Sequence, residues 1–92
     1  MAAVFLFNFD FMKEEQVQDL LTRITIKPGM MGGKPTIRGL RFPVADILEM
    51  LASGMKVEEI LEQHPMLQSD DISAALLYAS LQINNTRIIH AA

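Results

Sequence analysis

Apolar positions along this chain switch between helical and strand spacing, and each switch falls at a turn residue. From Glu14 to Leu21, Val17, Leu20 and Leu21 gather on one side of a short helix, with Ile24 just beyond it. From Arg23 to Lys27, Ile24 and Ile26 alternate with polar residues, which predicts a half-buried strand. Pro28-Gly29 breaks that strand and Gly32-Gly33 breaks the chain again. Thr36 to Phe42 reads as the returning strand of a small β-arm, with Gly39 placed for a bulge between Arg38 and Arg41. Pro43 suits the first turn of a helix that buries Val44, Ile47, Leu48 and Leu51 and stops at Gly54. A second helix is predicted over Val57 to Gln63, burying Val57, Ile60 and Leu61 and ending before Pro65. A third begins at the N-cap candidate Ser69 and runs to about Asn84. Its spacing nominates Ile72, Leu76, Ala79 and Ile83 as core, with Leu77 and Leu81 as a second stripe beside them.

The fold class that follows is mainly α: a three-helix, helix-turn-helix-like bundle preceded by a short helix and a small β-arm. Residues 13–85 form the expected single domain, 1–12 an N-terminal extension and 86–92 a C-terminal tail. In the extension Phe5, Phe7, Phe9 and Phe11 alternate strictly, so a strand would present them on one face. Such a strand can pair with another chain or pack on this domain's own core. Alternatively Met12-Lys13-Glu14-Glu15 is the natural start, with residues 1–11 lying outside it. Half of the residues are hydrophobic, enough for a small core with a surplus that suits a homodimer or higher oligomer. Phe5, Phe7, Phe9, Leu77, Leu81, Ile88 and Ile89 are the interface candidates.

Charge adds a second level of organisation. The net charge is −3, yet residues 23–41 carry Arg23, Lys27, Lys34, Arg38 and Arg41 and no acid. The segments on either side are both net acidic. A basic segment in an acidic protein takes phosphate or an acidic protein surface, or is neutralised by its own acidic helices. Lys27, Lys34, Arg38 and Arg41 are therefore candidates for DNA or anion contact. The competing structural reading pairs Arg38 and Arg41 with Asp46, Glu49 or acids of a second subunit. If all four cations met DNA in a dimer, the salt slope would reach at most about −7.

Most catalytic and cofactor chemistry is absent from the sequence. There is no cysteine, which removes disulfides, thiolate metal sites and cysteine nucleophiles. Gly32-Gly33-Lys34 lacks the first glycine and the following Ser or Thr of a phosphate loop, and Pro35 offers no N–H. His64 and His90 stand in no metal-binding spacing, so neither a metal nor another cofactor is expected. The third helix has no cation between Lys56 and Arg87, and Asp70 and Asp71 sit at the end that would approach phosphates. It is a poor DNA reader. The first residues are too short an apolar run to span a bilayer and lack the basic start of a signal peptide, so a cytoplasmic, non-membrane, non-enzymatic protein is expected.

The run from Ile24 to Tyr78 resembles the domain-of-unknown-function family 433. The matching residues are Ile24-Thr25-Ile26, Gly33-Lys34-Pro35, Ile37-Arg38-Gly39, Arg41-Phe42-Pro43-Val44, Ile47-Leu48, Ser53-Gly54, Glu59-Ile60-Leu61, and Asp71-Ile72 with Ala75-Leu76. Gly-Lys-Pro followed by Ile-Arg-Gly at this spacing is a specific signature. What the resemblance implies is a homeodomain-like helical fold in small bacterial proteins described as antitoxins. In some members it implies the antitoxin half of a pair with a nuclease-like toxin. The expected function is thus antitoxin-type: binding a cognate toxin through the arm or the tail, with operator DNA as a further partner. The alternatives are a stand-alone DNA-binding regulator and a structural oligomerisation module.

Overall fold

The computed structural model describes residues 12–91, with side chains as far as residue 84. The elements run α1 (Glu14–Leu21), β1 (Ile24–Thr25), a 3₁₀ turn (Met31–Gly33), β2 (Thr36–Ile37), α2 (Val44–Ala52), α3 (Val57–Gln63) and α4 (Ser69–Ala91). The described chain is mainly helical, with one two-stranded antiparallel sheet that sets Ile24 opposite Ile37 and Thr25 opposite Thr36. The predicted helices over Glu14–Leu21 and Val57–Gln63 are observed at those bounds.

Helix ends follow local chemistry. Glu59 reaches back to accept the Lys56 N–H at 2.8 Å and so secures the first turn of α3. At the end of α2, Gly54 adopts φ 100°. Its N–H donates to the Leu51 carbonyl at 3.0 Å, and the Met55 N–H donates to the Met50 carbonyl at 3.1 Å. That pair of bonds is a Schellman cap, and its left-handed residue favours glycine.

Two apolar clusters meet across α4. Ile37, Val44, Ile47, Ile60, Leu67, Ile72 and Ala75 form one, beneath α2 and α3. Val17, Leu20, Ala74 and Leu77 form the other, where α1 lies against α4. Half-buried Ile24 touches both, which ties the sheet to each side of the molecule.

Three expectations are corrected. The strand predicted over Thr36 to Phe42 stops at Ile37, because Arg38 (φ 45°) and Gly39 (φ 73°) reverse the chain. The Leu40 N–H closes that turn on the Ile37 carbonyl at 2.7 Å, so Gly39 serves a turn and not a bulge. The core phase of α4 also differs: Leu76 and Ile83 are 50% and 65% exposed, while Ala74 and Ala75 are buried. Small alanines let α1 and α2 approach α4 closely, a role that a count of large apolar residues overlooks. Finally, Asn84-Asn85 does not end α4, which continues to Ala91. Asparagine costs a helix only a few tenths of a kcal/mol relative to most residues, and neither glycine nor proline follows. The tail expected over residues 86–92 is therefore helical as far as Ala91.

Candidate functional site

The basic segment of the sequence is divided in two by Asp71. This aspartate lies in the first turn of α4 and has no exposed surface. Its Oδ2 accepts the Gln68 N–H at 2.8 Å, reaching back over the helix start. The Arg38 Nε donates to both carboxylate oxygens, at 3.1 and 3.2 Å, and its Nη2 donates to Oδ2 at 3.0 Å. The same Nη2 donates to the Met66 carbonyl at 2.6 Å. From the other side, the Arg23 Nη1 donates to Oδ1 at 2.9 Å and to the Gln68 side-chain oxygen at 2.8 Å. Arg23 also lies 3.6 Å from the carboxylate of exposed Asp70.

The sheet brings the two arginines together. The Arg38 N–H donates to the Arg23 carbonyl at 2.7 Å, continuing the pairing of β1 with β2. The Gly39 N–H donates to the Thr25 hydroxyl at 2.9 Å, which anchors the turn that carries Arg38. Arg38 therefore sits in the left-handed region that costs an ordinary residue about 1–2 kcal/mol, held there by its backbone and side chain together. Burial pushes the Asp71 carboxyl up. Hydrogen bonds from Arg38, the Gln68 N–H and Arg23, with the charge of Arg38, outweigh that and hold it below the usual carboxylate range. The Asp71 contact likewise raises the Arg38 guanidinium.

The remaining cations have a different setting. Lys27, Lys34 and Arg41 are exposed, and no carboxylate among the described residues lies within ion-pair distance of them. They sit on the loop between the strands and on the turn after β2. That loop is ordered by its own bonds: the Met30 N–H donates to the Lys27 carbonyl at 3.0 Å, and the Gly33 N–H to the Met30 carbonyl at 2.9 Å. The Val44 N–H donates to the Pro35 carbonyl at 2.9 Å, fixing the loop to the start of α2. Arg41 contacts the Met31 sulfur at 4.0 Å, so its guanidinium lies against the 3₁₀ turn that precedes Lys34.

Of the four cations proposed for DNA or anion contact, the structure thus leaves Lys27, Lys34 and Arg41 outward and engages Arg38 internally. Arg38 does pair with acid, but with Asp71 and not with Asp46 or Glu49. Leu77, an interface candidate, is buried within its own protomer against α1, and Leu81 is half-buried beside it. Both are occupied by intramolecular packing. Phe5, Phe7 and Phe9, and the side chains of Ile88 and Ile89, lie outside the described residues. Sequence reasoning missed Asp71 and Arg23 as partners. No local spacing signals the pair: Asp71 lines up with Ala74 and Ala75, but only the fold shows that stripe to be buried, where an acid requires a cation.

Two open depressions flank this region. One is lined by Asp19, Leu20, Thr22, Arg23, Arg38 and Asp70. The other is lined by Phe42, Asp46, Glu49, Met50, Ser53 and His64, where the Phe42 and His64 rings meet edge to face at 5.0 Å. Among the described residues, no three His, Asp or Glu side chains converge as a metal site. No helix among them is long and apolar enough to cross a membrane.

Comparison with known proteins places this arrangement in a family. A crystal structure of a DUF433 member protein from Anabaena variabilis superposes with a TM-score of 0.65 at 32% identity, covering 85% of this chain and 77% of that one. The uncharacterized protein y4eO of Sinorhizobium fredii (strain NBRC 101917 / NGR234) is 38% identical over 68 residues, which is 71% of this chain. The chain spans about a third of that relative's length, 31%. The pattern of the family described as "Protein of unknown function (DUF433)" matches residues 24–79, from the first strand into the first half of α4. On the match to that pattern, this chain belongs to the DUF433 family.

Proposed function

We propose that this chain is a non-enzymatic, antitoxin-type binding protein whose basic loop docks on an acidic protein surface. The observation that supports this reading is the division of charge. Arg23 and Arg38 are used to hold the loop, while Lys27, Lys34 and Arg41 are presented outward without acidic partners among the described residues. A loop fixed at its base and cationic at its surface loses little conformational freedom on binding. Its charge complements a carboxylate-lined active site, such as that of the nuclease-like toxins the family resemblance implies. Inhibition would then proceed by occlusion, with the cations covering carboxylates that a nuclease needs for its metal or its proton transfer.

The same three cations favour a second reading, in which the loop contacts DNA phosphates. With Arg38 bonded to Asp71, three cations per protomer remain, so a dimer would bring six and a salt slope of at most about −5. The exposed positions of α4 as far as residue 84 offer no cation to read a groove. Native pull-down of the tagged protein from its own organism, with mass spectrometry of what co-purifies, separates the two. One small nuclease-like protein at near-equal amount supports the antitoxin reading. DNA alone, released by high salt, replaces it with the DNA-binding one.

A further inference from the structure

We propose that the open edge of β1 takes an extended segment of the acidic partner as an added strand, one that alternates apolar residues with acids. It rests on the docking reading above and names the segment of the partner that docks. β2 has both of its sides occupied. On one side it pairs with β1. On the other, the Ile37 N–H donates to the Phe42 carbonyl at 3.1 Å and the Val44 N–H to the Pro35 carbonyl at 2.9 Å. β1 is paired on one side only among the described residues. The Arg23 carbonyl accepts the Arg38 N–H at 2.7 Å and the Thr25 carbonyl accepts the Thr36 hydroxyl at 3.2 Å, so both point toward β2. In a trans peptide the N–H lies opposite the carbonyl of the same plane, and no described peptide bond is cis. The Ile24 and Ile26 N–H groups therefore point away from β2. The Ile24 carbonyl joins them, because the antiparallel register turns the Thr25 N–H inward. Among the described residues no backbone bond outside the sheet reaches Ile24 or Ile26.

Proteins commonly blunt such an edge with proline, charge or cover. Ile24-Thr25-Ile26 is instead a β-branched run, and Ile26 is 56% exposed. Its alternation sets the chemistry of the strand it takes. Ile24 and Ile26 lie toward one face, Arg23, Thr25 and Lys27 toward the other. Lys27 has no acid of its own within ion-pair distance among the described residues. A strand with apolar residues beside the isoleucines and an acid beside Lys27 complements both faces. Main-chain bonds to the edge then supply affinity, and the alternate side chains supply specificity. A second copy of this chain does not fit. Thr22 is still helical and Pro28 has no N–H, which confines the extended stretch to residues 23–27. That stretch would pair with its own copy about Thr25 and set Arg23 opposite Lys27. Like charges directly opposite destabilise a strand pair.

Amide NMR on the full chain tests the edge with two synthetic peptides as probes. One alternates glutamate with valine, and the other carries the same residues as separate glutamate and valine blocks. The alternating peptide should shift the Ile24, Ile26 and Lys27 amide signals saturably and slow hydrogen exchange at Ile24 and Ile26. It should bind about tenfold more tightly than the block peptide, the equivalent of one or two main-chain bonds. Ile26→Pro removes an outward N–H, keeps the pairing of Thr25 with Thr36, and should erase that preference. N-methylating the alternating peptide removes the same bonds from the other side and should do likewise, even where the proline variant fails to fold. Equal affinity for the two peptides overturns the added strand, as does binding of neither. Slow exchange at Ile24 and Ile26 without peptide, abolished by deleting residues 1–11, overturns it too, assigning the edge to the chain's own N-terminal segment. The native partner separates this from the loop reading. A partner lost from Lys34→Glu with Arg41→Glu but kept by folded Ile26→Pro overturns the strand and leaves the basic loop standing. The reverse pattern supports the strand and overturns the loop as the docking surface.

Discussion

At the scale of single residues, the decisive group is a carboxylate with no exposed surface that accepts bonds from two arginines and a backbone N–H. A buried charge survives only when its partners replace water, and breaking such a set costs about 3–5 kcal/mol. Asp71→Ala should therefore destabilise by about that amount in thermal or urea unfolding. The two arginines of the turn region should separate cleanly. Arg38→Glu sets a second carboxylate against Asp71 and should abolish the cooperative melt. Arg41→Glu changes an exposed side chain and should stay within about 0.5 kcal/mol of wild type. The pH dependence has a fixed sign. Because Asp71 is held below its ordinary range, its stabilisation is complete above the unfolded value of about 3.9 and is lost as pH falls through the lower folded value. Melting temperatures should thus fall as the solution is acidified below about pH 4. Asp71→Asn should remove that part of the slope while lowering stability at neutral pH.

At the scale of elements, α4 is the helix on which the others depend, since both clusters close on it. Leu77→Ala opens space against α1 and should cost about 2–5 kcal/mol. Leu76→Ala, half-exposed on the opposite flank, should cost under about 1 kcal/mol in a protomer. The sequence made the short elements readable because caps and breakers mark them: Pro43 and Gly54 bound α2, and Pro65 follows α3. The phase and end of α4 were harder to read. Several apolar lines run along it, and periodicity alone cannot say that the alanines, and not Leu76 and Ile83, face the neighbours. The site was half legible. Clustered cations announced a basic segment, but pairing between Arg38 and Asp71 depends on a contact across the fold that no local spacing encodes. The left-handed turn at Arg38-Gly39 was hidden for the same reason, since arginine gives no sign that it will adopt φ 45°.

At the scale of the whole molecule, one acidic protein carries an ordered basic loop whose anchoring cations are distinct from its exposed ones. That division makes the binding account testable without disturbing the fold. The most direct measurement compares what co-purifies from the native organism with wild type and with the Lys27→Glu, Lys34→Glu, Arg41→Glu variant, after both are shown to melt alike. The account predicts a near-stoichiometric small protein partner with wild type and its loss from the loop variant. Equal retention of that partner by both proteins, or its absence from both, would contradict the assignment of the basic loop as the docking surface.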